Sequence, residues 1–131
     1  MDRVVPAERI YEHMKQILLV DDEPNILLSL EFLFRKEAFD VRIARDGSEA
    51  MELIAEGPPD LIVLDIMMPT VDGYQVCTHV KKHFGHVKVV FLSAKSKTAD
   101  IEAGLALGAD LYLTKPFSNK ELVRQIKQLL N

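Results

Sequence analysis

Five short apolar runs, separated by stretches with helical periodicity, constrain the fold of this chain more than any other feature. The runs are residues 17–20, 41–44, 61–64, 87–92 and 111–114. Unbroken apolar runs of this length are typical of strands buried on both faces, whereas the second run alternates with a polar residue, as an edge strand does. Their alternation with helices predicts an α/β fold, with one parallel five-stranded sheet, helices on both faces and right-handed crossovers.

The predicted helices are placed by apolar residues at helical spacing and by signals at their ends. Their starts are marked by Pro24, Asp46–Gly47, Asp72–Gly73, Thr98 and Ser118. Pro24 suits a first helical turn because its missing N–H is not needed there. Gly108 is expected to end the fourth helix, and Ser118 with Glu121 fits a capping box.

Composition narrows the class of protein. A chain of 131 residues favours one domain, and its net charge of -4 disfavours direct nucleic-acid binding, which needs a basic face. No apolar run approaches the roughly 18 residues of a membrane span. The single cysteine, Cys77, excludes an internal disulfide and fits a cytoplasmic location.

Residues 1–13 show no clear periodicity, and Met14 is a plausible natural start. We therefore treat residues 1–13 as an N-terminal extension and residues 14–131 as the domain. The extension is either a remnant of cloning or a native helical arm, and the sequence leaves both interpretations open.

Polar side chains follow four of the predicted strands. Asp21 and Asp22 follow the first strand, Asp65 the third, Ser93 the fourth and Lys115 the fifth. The carboxyl ends of parallel strands meet at one edge of the sheet, where open α/β sheets bind ligands. Helix capping explains one or two of these acids but not the whole set. We therefore expect one pocket with three carboxylates, a hydroxyl and an ammonium group.

This set of groups suits phosphoryl transfer. Three adjacent carboxylates repel one another, and a hard divalent cation with oxygen ligands, of which Mg²⁺ is the best candidate, relieves that repulsion. Lys115 adds a second positive charge, Asp65 can attack phosphorus as a nucleophile, and Ser93 can donate a hydrogen bond to a phosphate oxygen.

Six motifs in this order and spacing give the chain a specific resemblance to the receiver domain of two-component response regulators. They are Asp21–Asp22, the run from Leu64 to Pro69, Asp72–Gly73, Leu92–Ser93–Ala94, Gly108–Ala109–Asp110 and Lys115–Pro116–Phe117. The resemblance covers residues 16–130. It implies a doubly wound, flavodoxin-like domain with the strand order 2-1-3-4-5.

The resemblance also implies a role for each site residue. Asp65 is the phosphoacceptor, and Lys115 contacts the phosphoryl group or Asp65. Mg²⁺ is held by the carboxylates of Asp22 and Asp65, by the backbone carbonyl of Met67, and by Asp21 through water. The bond before Pro116 is cis in the family.

A conformational switch follows from the same resemblance. On phosphorylation, Ser93 moves toward the phosphoryl group and Tyr112 turns inward behind it, which changes the output surface. The alternative for Tyr112 is a half-exposed side chain with its hydroxyl in water. Met67 and Lys95 occupy the two positions that tune phosphoryl lifetime. Met67 cannot orient a water molecule and Lys95 can pair with the phosphoryl group, so we expect slow self-dephosphorylation.

The expected partners are a sensor histidine kinase or a phosphotransfer protein, and an output domain or downstream target protein. The chain is expected to be a signalling phosphoacceptor and not an enzyme with a separate substrate. A homodimer on phosphorylation stays open, because the commonest DNA-binding regulators carry an Arg four residues after the Glu of the last helix. Here Glu121 is followed at that distance by Gln125, with Arg124 one residue earlier.

Other functions fit less well. A haloacid dehalogenase-type phosphatase needs a second Asp where Met67 stands. A flavin-binding protein of this fold would place its phosphate against the acids at 21–23, which would repel it. A P-loop nucleotide hydrolase needs a GxxxxGK motif, which the sequence lacks. A pseudo-receiver, which would be an interaction module without phosphorylation, stays open as the alternative. His79 and His83 lie one helical turn apart, but no HExxH pattern or third convincing ligand accompanies them. Together with His86 they are interpreted as a solvated helix end.

Overall fold

The structure is a computed structural model, and it describes residues 14–131. The strands are β1 Gln16–Val20, β2 Asp40–Ala44, β3 Leu61–Leu64, β4 Lys88–Ser93 and β5 Leu111–Thr114. The helices are α1 Pro24–Lys36, α2 Gly47–Glu56, α3 Gly73–His83, α4 Thr98–Ala106 and α5 Asn119–Leu129. All five predicted strands and helices are present. The predicted extension, residues 1–13, lies outside the described part of the chain.

The five strands form one parallel sheet in the order β2-β1-β3-β4-β5, which confirms the doubly wound fold. From β1 the chain adds β2 on one side of the sheet and then β3, β4 and β5 on the other. The site lies at this switch point between β1 and β3. Val20 pairs with Leu64 in the register, and the Asp65 N–H donates to the Val20 carbonyl at 2.9 Å. The residues that follow β1 and β3 therefore lie side by side.

Each face of the sheet has its own apolar core, because successive side chains of a strand point to opposite faces. Ile17 and Leu19 pack with α1 and α5, whereas Leu18 and Val20 pack with α2 and α3. All four residues of β3 are buried, as expected for the central strand. The edge strand β5 is only partly buried throughout.

Helix α4 is the least embedded of the helices. Gly104 is its only buried residue, whereas α1 buries three side chains. A Cβ added at Gly104 would lie 3.0 Å from the Phe91 ring and 3.1 Å from the Tyr112 ring. The helix is thus held by close backbone approach to two rings and buries few apolar side chains, which gives it a small packing contribution.

The helix ends agree with most of the predicted signals. Pro24 begins α1, and α4 ends just before Gly108, whose φ of 100° favours glycine. The predicted box at Ser118 is only half formed. Its Oγ accepts from the Glu121 N–H at 3.3 Å, but the Glu121 carboxylate binds Arg124 instead of returning to the cap. Among residues 14–131, no helix has both the length and the apolar character required to cross a bilayer.

Candidate functional site

Three carboxylates converge where β1 and β3 end. Asp21, Asp22 and Asp65 each offer one oxygen, and these oxygens all lie within 4.8 Å of one another. Asp21 and Asp65 are buried, with 3% and 6% of their surface exposed, whereas Asp22 is exposed. The Asp21 carboxylate also accepts from the Glu23 N–H at 2.9 Å, which fixes the turn into α1. The acids predicted to share a pocket are therefore together.

Lys115 reaches into this cluster from the end of β5. Its Nζ lies 3.0 Å from Asp21 Oδ2, 3.7 Å from Glu23 Oε1 and 3.9 Å from Asp65 Oδ1. The Lys115 N–H donates to the Ser93 carbonyl at 2.8 Å, and the bond to Pro116 is cis. The lysine thus binds Asp21 most closely, a contact that the sequence analysis did not anticipate.

Burial and neighbouring charges shift the pKa of both Asp65 and Lys115. Burial, reinforced by the neighbouring Asp21 carboxylate, raises the pKa of Asp65 to about 6, although Lys115 opposes the shift. Burial alone would lower the pKa of Lys115, but its hydrogen bond to Asp21 and the nearby carboxylates raise it above its usual value. A buried acid with a raised pKa among like charges is typical of a functional site.

The loop from β3 to α3 is built around a very close backbone approach. A Cβ on Gly73 would lie 2.2 Å from the Asp65 carbonyl oxygen, so only glycine fits there. The Gly73 N–H donates to the Ile66 carbonyl at 2.9 Å, and the Ile66 N–H donates to Asp65 Oδ1 at the same distance. These contacts fix the Asp65 carboxylate and the loop that contains Met67.

The residues around Asp65 fit a hard cation. Every candidate side-chain ligand in the cluster is a carboxylate oxygen, which suits Mg²⁺ better than a metal that prefers nitrogen or sulfur. Within the described residues, no backbone hydrogen bond outside helices and strands ends on the Met67 carbonyl oxygen. The Met67 side chain itself is 60% exposed. Asp21, Asp22, Asp65 and this carbonyl are therefore the groups that could hold the ion.

Ser93 and Tyr112 meet at Lys95, in the connection between β4 and α4. Ser93 is fully buried, and its Oγ accepts from the Lys95 N–H at 3.2 Å. The Tyr112 hydroxyl donates to the Lys95 carbonyl at 2.7 Å. Tyr112 is thus partly exposed, as the alternative interpretation has it, but its hydroxyl binds a protein carbonyl. The Lys95 ammonium lies 3.7 Å from Asp100 Oδ1.

Tyr74 is a residue of this region that the sequence analysis missed. Its hydroxyl donates to the Asp100 carbonyl in the first turn of α4 at 3.1 Å. Its ring lies 5.7 Å from the Phe91 ring, and Phe91 lies 5.7 Å from Tyr112. Tyr74 is the second residue of α3, where an aromatic side chain is common in a helix that packs on a sheet. The sequence pattern therefore does not distinguish it from an ordinary core residue.

A family model for the response regulator receiver domain matches residues 17–127. The chain belongs to that family. Receiver domains are signalling modules of two-component systems, in which histidine kinases are their partners.

Solved receiver domains are similar over nearly the whole of this receiver. The Francisella response regulator 1452 receiver domain is 36% identical, with 88% of this chain and 96% of that chain covered and a TM-score of 0.84. A CheY-like receiver domain protein from Methanospirillum hungatei JF-1 is 28% identical, with coverages of 89% and 94% and a TM-score of 0.86. The BeF3-activated receiver domain of Klebsiella pneumoniae RstA is 28% identical, with coverages of 88% and 98% and a TM-score of 0.84.

Proposed function

We propose that this receiver domain accepts a phosphoryl group on Asp65 in a Mg²⁺-dependent reaction, and that the donor is the phosphohistidine of a sensor kinase or phosphotransfer protein. The observation that carries the proposal is the buried carboxylate cluster with a lysine inserted into it. Asp65 is 6% exposed and has a raised pKa, and Lys115 lies 3.9 Å from it. No packing requirement explains acids placed in this way.

In this proposal, Asp22, Asp65 and the Met67 carbonyl hold Mg²⁺ directly, and Asp21 acts through water. The bound ion supplies positive charge that neutralises oxygens of the transferred group. One Asp65 carboxylate oxygen forms the bond to phosphorus while the bond from phosphorus to the histidine nitrogen breaks, and that nitrogen keeps the electron pair. Lys115 exchanges its hydrogen bond to Asp21 for one to the phosphoryl oxygens.

The output depends on Ser93 and Tyr112. A phosphoryl group on Asp65 offers oxygens that the Ser93 hydroxyl can reach by leaving the Lys95 N–H. The Tyr112 hydroxyl binds the carbonyl of that same residue, so movement of the connection is coupled to the tyrosine. Because α4 buries only Gly104, a change of its surface costs little packing energy. The surface of α4, β5 and α5 is the proposed contact for an output domain, a target or a second copy.

The functional unit is proposed to be residues 14–131, located in the cytoplasm and acting as a phosphoacceptor without a separate substrate. The usual active-state dimer is disfavoured by residues of α5. Arg124 is bound to Glu121 within the helix at 2.6 Å, and Gln125 also binds Glu121 at 2.9 Å. Gln125 is uncharged, so it cannot form the intermolecular ion pair that an Arg at this position makes in the commonest DNA-binding regulators.

Intact mass after incubation with acetyl phosphate tests the function. We expect one phosphoryl adduct in wild type with Mg²⁺, no adduct in EDTA, and none in Asp65→Asn. Asp40→Asn is the matched control, because Asp40 lies in β2 away from the cluster, and it should be phosphorylated like wild type. Absence of the adduct in wild type, also with a cognate kinase, would establish the pseudo-receiver instead.

A further inference from the structure

The outer side of α3 has a groove that shares no carboxylate with the acidic site. Its volume is about 470 Å³, and it is lined by residues of α3 between Tyr74 and His83, with Leu107 opposite. The ionisable side chains that line it, apart from Tyr74, are His79, Lys82 and His83, with no acid among them. The proposed phosphoryl transfer uses none of these groups.

His79 and His83 lie one helical turn apart on this groove. Their ring centroids are 4.7 Å apart and the rings are tilted by 48°. Two imidazole nitrogens bound side by side to one ion, each at 2.0–2.1 Å, are separated by roughly 3 Å. Each nitrogen lies at the edge of its ring, so the ring centres of such a pair are farther apart than the two nitrogens. The observed centroid spacing is therefore compatible with one shared ion, once side-chain rotation turns a nitrogen of each ring toward it.

Within residues 14–131, the side chains next to this pair supply no further ligand. Gln75 lies one turn before His79, but its Oε1 accepts from the Asp72 N–H at 2.9 Å in the helix cap. Lys81 turns away from the groove to bind Asp110 at 2.8 Å. Among residues 14–131, the one group of three or more potential metal-ligating side chains is the acidic cluster of Asp21, Asp22 and Asp65.

We propose that His79 and His83 form a bidentate surface site for a divalent transition-metal ion, with water in the remaining positions. Imidazole nitrogen suits Cu²⁺, Ni²⁺ and Zn²⁺, with Cu²⁺ bound most tightly among them. Mg²⁺ prefers oxygen ligands, so it belongs to the acidic cluster and not to this pair. The receiver would then hold two ions of different chemistry, one where β1 and β3 end and one on the outer side of α3.

The site would also constrain the helix. A bound ion links two successive turns at the C-terminal end of α3, where Phe84 is the capping residue. An ion that binds the folded helix more tightly than the unfolded chain stabilises the fold by mass action. The expected signature is therefore a rise in melting temperature with Ni²⁺ that depends on both histidines.

Isothermal titration of the untagged chain with Ni²⁺, in excess Mg²⁺ to saturate the acidic cluster, tests this proposal. The chain has four histidines, and each is replaced singly by Asn. His79→Asn and His83→Asn should each weaken binding, on the order of a hundredfold, because chelation by two linked ligands is lost. His13→Asn and His86→Asn are the matched controls and should bind like wild type.

A second measurement separates loss of the ligand from loss of the fold. Mg²⁺ affinity at the acidic cluster should be unchanged in His79→Asn and His83→Asn, and Cu²⁺ should broaden NMR signals of residues 79–83 in wild type only. Ni²⁺ binding that survives the His79→Asn/His83→Asn double variant, or that is lost in His86→Asn, would overturn the proposal. Neither result depends on whether Asp65 is phosphorylated.

Discussion

Lys115 Nζ lies 3.0 Å from Asp21 Oδ2 and 3.9 Å from Asp65 Oδ1. The ammonium group is therefore paired with the acid that is proposed to act through water, and it is only a neighbour of the proposed phosphoacceptor. Its side chain is 14% exposed and that of Asp21 is 5% exposed. Salt weakens the attraction within a pair buried to this extent only slightly. Removing either member would leave the other charge buried without a partner.

Replacing Lys115 by Met should destabilise the domain in EDTA by about 2–4 kcal/mol, because the buried acids lose their countercharge. Mg²⁺ should restore part of that loss, since a bound cation replaces the missing charge. Urea unfolding with and without Mg²⁺ measures both effects.

The matched control for this prediction is Lys127→Met. Lys127 binds Glu37 at 2.6 Å, but its side chain is 52% exposed, so its loss should cost at most about 1 kcal/mol. Equal costs for the two variants would contradict the assigned burial of the Lys115 pair.

Asp65→Asn should stabilise the domain in metal-free buffer at neutral pH. The amide has nearly the same shape as the carboxylate and removes a buried negative charge next to Asp21. The shift of the Asp65 pKa from 3.8 to about 6 corresponds to a gain of roughly 2–3 kcal/mol, at 1.36 kcal/mol for each pKa unit. Thermal melts in EDTA measure the gain, and a lower melting temperature than wild type would show that this carboxylate is not repelled.

The same raised pKa predicts a pH dependence with a definite sign. Between pH 3.8 and about 6 the folded chain keeps a proton on Asp65 that the unfolded chain has released, so this group favours folding at low pH. That contribution is lost as pH rises through the folded pKa. The stability advantage of Asp65→Asn over wild type in EDTA should therefore grow from pH 4 to about 7 and then level off. An advantage that shrinks with pH would contradict the shift.

The strands, and the sheet edge at which the polar residues meet, could be predicted from position along the chain, whereas the strand order was implied by the resemblance to receiver domains. Apolar runs such as 61–64 define buried strands, and the residues that follow them must meet at one edge. The contacts between side chains were not readable in this way. Lys115 binds Asp21 because its side chain reaches that acid across the sheet edge, which the sequence does not show. Likewise, the Glu121 carboxylate binds Arg124 and not the backbone N–H of Ser118. Such choices among neighbours leave no periodic signal.

Gly73→Ala should destabilise the domain by about 1–3 kcal/mol, the usual cost of overpacking, because its Cβ would lie 2.2 Å from the Asp65 carbonyl oxygen. The displaced loop should also slow phosphoryl uptake from acetyl phosphate. Gly57→Ala is the matched control, since its Cβ would meet nothing within 4 Å. Chemical unfolding and intact mass measure the two effects. A Gly73→Ala variant with the stability of Gly57→Ala would disprove the close approach.

Two tyrosine hydroxyls hold the connection that leads into α4, and their removal should loosen it locally. Tyr112 binds the Lys95 carbonyl at 2.7 Å, and Tyr74 binds the Asp100 carbonyl at 3.1 Å. Each Tyr→Phe change keeps the ring against Phe91 and removes one hydrogen bond, which costs about 0.5–1.5 kcal/mol. Because α4 buries only one residue, this cost should appear there as faster hydrogen exchange of the amides of residues 95–104.

Thr78→Val is the control for the two tyrosine variants. It also removes a hydroxyl hydrogen bond from α3, to the Tyr74 carbonyl at 2.9 Å, but that bond does not reach α4. Exchange of residues 95–104 should therefore match wild type in Thr78→Val and rise in Tyr74→Phe and Tyr112→Phe, while β1 and β3 stay protected in all three. If exchange rose equally throughout the sheet, the tyrosines would be stabilising the whole fold and not the position of α4. The Tyr74 hydroxyl holds α4 through the Asp100 carbonyl and not through Lys95, so its hydrogen bond restrains the helix at a different residue from that of Tyr112.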